Sequence, residues 1–200
     1  GDLSRFMGSV SMGNGDIIGI LDLTLLDRGA SEEDLVRLCE RAVAHRVAAV
    51  CVFSEHVRFV RGLLPEEVKV ASVVGGFPVG WRDPTKVSKA ITEAIDFGAD
   101  EIDCVLEPTP NGGDASEEDL QILSAMRDAC GEKTLKVIIE TPLMDEHSIR
   151  ATSRLAMASG ADFVKTCTGK RGDCTDEDAR ILSMEANRHL VTMGERKGVK

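Results

Sequence analysis

Phe97-Gly98-Ala99-Asp100-Glu101-Ile102-Asp103 is echoed 62 residues later by Ser159-Gly160-Ala161-Asp162-Phe163-Val164-Lys165, and the fold can be read outward from that pair. In each copy a glycine closes an amphipathic stretch and a short apolar run follows. Glycine ends a helix there by adopting positive φ, after which the chain enters a strand. The runs Ile17–Leu23, Val47–Phe53, Val68–Val74, Asp100–Leu106, Leu135–Glu140 and Ala161–Thr166 read as strands. Between them, helices are predicted from Ser31-Glu32-Glu33-Asp34 onward, after Phe53, and over Asp83–Phe97, Ser116–Cys130, Asp145–Ser159 and Thr175–Met193. Ser31 followed by three acids is an N-cap with a charged first turn. Strands this apolar on both faces suit a parallel sheet covered by helices. Such units build either a doubly wound sheet or an eightfold barrel. No GxGxxG follows the first strand, which disfavours the dinucleotide fold. The expected class is α/β, a (β/α)8 TIM barrel, with the chain covering about six βα units and the start of a seventh strand at Gly198-Val199-Lys200.

Residues 1–16 hold four glycines, three serines and an asparagine, and are expected to form a flexible leader. Residues 17–200 are expected to be one barrel domain whose C-terminal end is missing. Lys and Arg number 24 against 34 Asp and Glu, a net charge of −10. That balance disfavours nonspecific nucleic-acid or anionic-membrane partners, although a local basic site can still hold a phosphate. No apolar run reaches the ~18 residues of a membrane span. Cys39, Cys51, Cys104, Cys130, Cys167 and Cys174 form no CxxC pair, and several lie in apolar runs. Reduced thiols in the cytoplasm are the expectation, with neither a disulfide framework nor a zinc site. His45, His56, His147 and His189 are scattered and offer no ligand spacing.

Asp103 and Lys165 occupy the same offset from their glycines, each within a strand that is otherwise apolar. A charge there is costly unless paired. One reading is a structural ion pair. The other is an amine nucleophile with a carboxylate partner at the strand mouths of a barrel, where active sites of that fold lie. An attacking lysine must be neutral, a state favoured by burial and by a second cationic amine. Lys170 and Lys200 are candidates for that amine; taken singly, each would be a surface charge.

Phe163-Val164-Lys165-Thr166-Cys167-Thr168-Gly169-Lys170 resembles the Schiff-base signature of the deoxyribose-phosphate aldolases, class I aldolases on a barrel fold. Further matches run in the family's order: Leu21-Asp22-Leu23-Thr24-Leu25-Leu26, Ala48-Ala49-Val50-Cys51-Val52, Gly76-Phe77-Pro78-Val79-Gly80, Gly98 to Asp103, and Lys136-Val137-Ile138-Ile139-Glu140-Thr141. The resemblance implies that Lys165 forms the imine, that Asp103 works with water in proton transfer at the carbinolamine, and that Lys200 is the second lysine. It makes Asp22 and Lys170 a supporting proton relay, and Thr24, Cys51 and Thr168 substrate-binding residues. Read as a residue, Cys51 on its apolar strand is equally a packing group. The implied reaction is reversible cleavage of 2-deoxy-D-ribose 5-phosphate to acetaldehyde and D-glyceraldehyde 3-phosphate, with neither metal nor cofactor. The implied partner is a small phosphorylated sugar, and the implied assembly a monomer or homodimer. Glu140-Thr141-Pro142-Leu143 and Asp27 depart from the family's usual residues, and an added acid weakens binding of an anion by Coulomb repulsion. The alternatives are an inactive aldolase-like scaffold that binds protein, and an imine-forming aldolase for another aldehyde.

Overall fold

Strand and helix alternate throughout the computed structural model, which describes residues 21–109 and 115–200. The expected leader, 1–16, and the beginning of the expected first strand lie outside the described residues. The elements are β1 (Asp22–Leu25), α1 (Glu32–His45), β2 (Ala49–Phe53), α2 (Ser54–Leu63), β3 (Lys69–Val74), α3 (Pro84–Asp96), β4 (Glu101–Val105), α4 (Glu117–Cys130), β5 (Thr134–Ile138), α5 (Glu146–Ala158), β6 (Phe163–Lys165), α6 (Asp176–Met193) and β7 (Gly198–Val199). The chain divides into two units, one ending at Val73 but also including 93–101, the other made of 74–92 and 102–200. No helix among the described residues is long and apolar enough to cross a membrane.

In the first unit β1, β2 and β3 are parallel and follow chain order, with Asp22 opposite Ala49, Thr24 opposite Cys51, and Cys51 opposite Ala71. β1 runs past the expected end at Leu23 because Leu23 and Leu25 alternate with Asp22 and Thr24, the period-2 pattern of a strand. All five residues of β2 are buried, as its unbroken apolar run requires. Ser31 caps α1 in a reciprocal capping box with Asp34, and Leu35, Leu38, Cys39 and Ala42 form the helix's buried face.

In the second unit β5, β6 and β7 are parallel neighbours in chain order, with Ile138 opposite Lys165 and Val164 opposite Val199. The helices repeat the capping logic: Ser116 and Asp119 box the start of α4, Asp145 caps α5, and Thr175 caps α6. α5 and α6 are joined by Glu185, whose buried carboxylate receives Arg150 at 3.0 Å and Arg154 at 2.6 Å.

The echoed Gly-Ala-Asp segments are one device built twice. In the first unit, Asp100 Oδ2 accepts from the Val70 N–H at 2.9 Å and from Arg61 at 2.7 Å, while Arg61 also donates to the carbonyls of Leu64 and Pro65. In the second, Asp162 Oδ2 accepts from the Leu135 N–H at 2.9 Å and from Arg127 at 3.0 Å, and Arg127 donates to the carbonyls of Gly131, Lys133 and Gly160. Each aspartate thus ties the entry of its strand to the strand before it and to the helix that precedes that earlier strand. The glycine is required by the same device. At Gly160, with φ +105°, a Cβ would sit 2.6 Å from Arg127 Cδ; at Gly98, with φ +112°, it would sit 3.2 Å from Arg61 Cγ.

Gly160→Ala should therefore lower the unfolding free energy by about 2 kcal/mol, through backbone strain and displacement of Arg127. Urea denaturation measures it, and a change below about 0.5 kcal/mol would contradict the clamp.

Candidate active site

Parallel register carries the chemistry of the second unit to one place. Lys165 closes β6 opposite Ile138, and Lys136 lies two residues earlier on β5. Side chains two apart on a strand share a face. Asp103, in the middle of β4, is fully buried and meets both amines: Oδ2 accepts from Lys165 Nζ at 2.7 Å, and Oδ1 lies 3.4 Å from Lys136 Nζ. Exposure separates the two lysines. The Lys136 side chain is 1% exposed and that of Lys165 is 23%. Only the amine of Lys165 combines the carboxylate contact with access from outside.

Burial alone would push the Asp103 carboxyl upward. The Lys165 and Lys136 ammonium groups, the hydrogen bond from Lys165 and the more distant charge of Lys200 outweigh it and hold the carboxyl below its ordinary range. Lys200 is laddered beside β6, donating its N–H to the Val164 carbonyl at 3.0 Å and accepting from the Thr166 N–H at 3.0 Å. Its Nζ lies 5.4 Å from the Phe163 ring centroid.

The loop after β6 is tied in two ways. Thr168 donates its N–H to Glu140 Oε1 at 3.1 Å and its hydroxyl to Oε2 at 2.8 Å, and Thr168 Oγ1 accepts the Lys170 N–H. Cys167 and Cys174 are joined as a disulfide, their Cα atoms 6.1 Å apart. This corrects the expectation of six free thiols. The residues between turn back on themselves at Gly169 and Gly172, both at positive φ, and bring the two cysteines into disulfide range. Sequence spacing alone conceals that turn. Cys39, Cys51, Cys104 and Cys130 are in no disulfide and are buried. Beyond the loop's Lys170, Arg171 Nη1 donates to both carboxylate oxygens of Glu107 at 2.8 and 2.7 Å, and Glu107 also accepts the Gly80 N–H.

Of the residues singled out from sequence, Asp103 and Lys165 are in direct contact, Lys200 lies within electrostatic reach of Asp103, and Thr168 sits on the loop that follows Lys165. The Lys170 side chain is exposed, so the structure gives it a backbone tie to Thr168 and no buried role. Asp22, Thr24 and Cys51 belong to the first unit, where Thr24 and Cys51 face each other in register. Two residues escaped the sequence reading. Lys136 lies inside a predicted strand, and a lysine in the run Leu135-Lys136-Val137-Ile138 is the same signal that marks Asp103. The sequence predicts Glu140 as the end of a strand, but β5 stops at Ile138 and Glu140 adopts a left-handed conformation with φ 57° and ψ 58°. Among the described residues, no group of histidines, cysteines and carboxylates is arranged to hold a metal ion.

The family model of the DeoC/LacD family aldolases matches residues 17–192. This chain belongs to that family. Curated relatives of the DeoC/LacD family include a deoxyribose-phosphate aldolase from Halalkalibacterium halodurans, 36% identical over 83% of this chain and 75% of the relative. Another, from Streptococcus gordonii, is 37% identical over 90% of this chain and 79% of the relative. Among solved structures, a protein described as a putative deoxyribose-phosphate aldolase from Coccidioides immitis superposes with a TM-score of 0.82 at 28% identity, covering 92% of this chain and 71% of that one. The expected α/β barrel class is therefore the fold of this chain, and the doubly wound alternative is set aside.

The Asp103 cluster makes a stability prediction with a definite sign. A carboxyl whose folded pKa lies below its unfolded value of ~3.9 contributes above that value and loses its contribution as pH falls through the folded pKa. Asp103→Asn should cost about 3 kcal/mol at neutral pH by leaving two amines without their carboxylate. The gap to the parent should narrow in acid, where the parent's own carboxyl is protonated. Urea denaturation at a series of pH values checks both statements, and a gap that widens in acid would contradict them.

Proposed function

We propose that the chain is a class I aldolase that cleaves 2-deoxy-D-ribose 5-phosphate reversibly to acetaldehyde and D-glyceraldehyde 3-phosphate, with Lys165 as the imine-forming amine. The observation that carries this reading is the buried Asp103 carboxylate shared by Lys165 and Lys136, of which Lys165 alone is open to a substrate. Two ammonium groups against one buried carboxylate leave an excess positive charge, and that excess favours loss of a proton from the pair. The neutral amine then attacks the C1 aldehyde to give a carbinolamine. Loss of water gives the protonated imine, which acts as the electron sink.

Removing the C3 hydroxyl proton breaks the C2–C3 bond, releases glyceraldehyde 3-phosphate and leaves an enamine on Lys165. Protonation at C2 and hydrolysis return acetaldehyde and the free amine. Asp103 touches the reacting nitrogen and is placed to hold and return a proton at the carbinolamine, directly or through a water. Lys200 adds positive charge to the same cluster. Thr168 contacts substrate. Asp22 and Lys170 as a proton relay, and Thr24 and Cys51 as substrate contacts, rest on the family resemblance alone.

The cytoplasm is the compartment of this proposal: Cys39, Cys51, Cys104 and Cys130 remain thiols, and the Cys167–Cys174 disulfide is the feature unusual for that compartment. A homo-oligomeric assembly belongs to it too, in line with the relative from Aeropyrum pernix, whose structure is described as tetrameric. The scaffold reading has no observation in its favour, since it would leave a costly buried cluster without a task.

Borohydride reduction in the presence of acetaldehyde, followed by peptide mass mapping, should place a single adduct on Lys165. Lys165→Ala should lose both the adduct and retro-aldol turnover, the latter by at least about a thousandfold. Adducts scattered over surface lysines would overturn the assignment.

A further inference from the structure

We propose that Glu140 is the positioning residue of the loop that follows the imine lysine, setting the place of Thr168 relative to the Lys165 amine through two hydrogen bonds from a fixed backbone site. The inference rests on the aldolase reading above and adds a residue to it.

Three observations meet at this position. The first is backbone strain. Glu140 and Arg46 are the two non-glycine residues at positive φ among the described residues. Arg46 ends α1, an ordinary place for a left-handed residue. Glu140 has no helix to end: it follows β5 by two residues and precedes a single 3-10 turn at Thr141–Leu143. A glutamate held in that conformation is maintained by its surroundings, and such strain gathers at functional sites.

The second observation is where the strained residue is anchored. The N–H of Ile139 donates to the Lys165 carbonyl at 3.1 Å, and the N–H of Thr141 donates to the Thr166 carbonyl at 2.8 Å. The backbone on either side of Glu140 is thus tied to the imine lysine itself and to its neighbour. The left-handed turn between those ties brings the side chain to the loop beyond β6.

The third is the use made of the side chain. Glu140 is fully buried, and its two oxygens accept the N–H and the hydroxyl of Thr168. The Thr168 oxygen in turn accepts the Lys170 N–H and sets the turn. A buried carboxylate needs hydrogen-bond donors, and here both come from one residue. The Cys167–Cys174 disulfide cannot substitute for this contact. It fixes the separation of the loop's ends, whereas the Glu140 contact fixes the loop's place relative to β5 and Lys165.

The geometry separates position from charge. Glutamine can still accept the Thr168 N–H through its oxygen and can donate to the Thr168 oxygen, so Glu140→Gln keeps both bonds without the charge. Glu140→Asp keeps the charge but withdraws it by one methylene, out of reach of both donors at once. In the full-length protein, Glu140→Gln is expected to hold kcat/KM for 2-deoxyribose 5-phosphate within about threefold of the parent. Glu140→Asp and Glu140→Ala are expected to lose about a hundredfold, the scale of a misplaced contact group. The rate of borohydride trapping of acetaldehyde on Lys165 is expected to stay within about threefold in all of them, since imine formation needs Lys165 and Asp103 but not the loop.

An active Glu140→Asp beside an inactive Glu140→Gln would overturn the proposal in favour of charge. Parent-like activity in both would overturn it outright. Trapping and turnover falling together in Glu140→Asp would reduce Glu140 to a structural part. Should Glu140→Ala fail to fold, the comparison of Asp with Gln decides alone. A parent that traps no acetaldehyde on Lys165 would overturn the aldolase reading, a result distinct from any of these.

Discussion

A carboxylate removed from water in the middle of a strand needs cations within reach, and at Asp103 that need orders the surrounding strands. Lys136 and Lys165 supply the cations from β5 and β6. A slip of one residue would turn either amine to the opposite face of its strand and leave buried charge without a partner. The register is therefore specified by electrostatics as well as by the apolar pattern. The two amines are unequal in a useful way. Lys136 is sealed in and serves the charge balance, whereas Lys165 meets the same carboxylate from a partly exposed position.

The same strands separate stability from chemistry along their length. Asp100 and Asp162 stand at the entry of β4 and β6, where each is clamped by an arginine from a preceding helix. Asp103 and Lys165 come three residues further on, and they meet each other. Three residues of extended chain reach about 10 Å, so the Asp162 clamp stands apart from the Lys165 amine. In barrels the strand entries hold the fold and the strand exits carry function. The echo in the sequence is the imprint of that division: the repeated Gly-Ala-Asp is the shared structural part, and three residues beyond it the copies place opposite charges, Asp103 and Lys165, that meet.

What the sequence made legible follows from how local each signal is. Capping residues such as Ser31, Ser116 and Thr175 act within one turn, and the helices begin where they predict. Asp103 and Lys165 stood out because a charge in an apolar strand is conspicuous wherever its partner lies. Lys136 carries the same mark but lies outside the Phe163–Lys170 motif that singles out Lys165. Glu140 carried no mark. Its left-handed conformation is fixed by ties to Lys165 and Thr166 and by donors on Thr168, all on segments distant in sequence, and a glutamate ending an apolar run reads naturally as a strand terminus. The Cys167–Cys174 bond was hidden for a related reason, since it depends on a path through Gly169 and Gly172 that spacing does not reveal.

Net charge and local charge oppose one another here. A net of −10 repels an anionic sugar phosphate at long range, yet that repulsion is screened beyond ~8 Å at physiological ionic strength. Inside that distance the identity of nearby groups decides. β6, its loop and β7 carry Lys165, Lys170, Arg171 and Lys200. The carboxylates they meet are already engaged: Asp103 with the amines, Glu107 with Arg171 and the Gly80 N–H, and Glu140 with Thr168. Engaged carboxylates repel an incoming anion less than free ones, because their charge is directed into short hydrogen bonds and ion pairs. Placing acids as partners of donors, instead of removing them, lets an acidic protein keep a site suited to an anion.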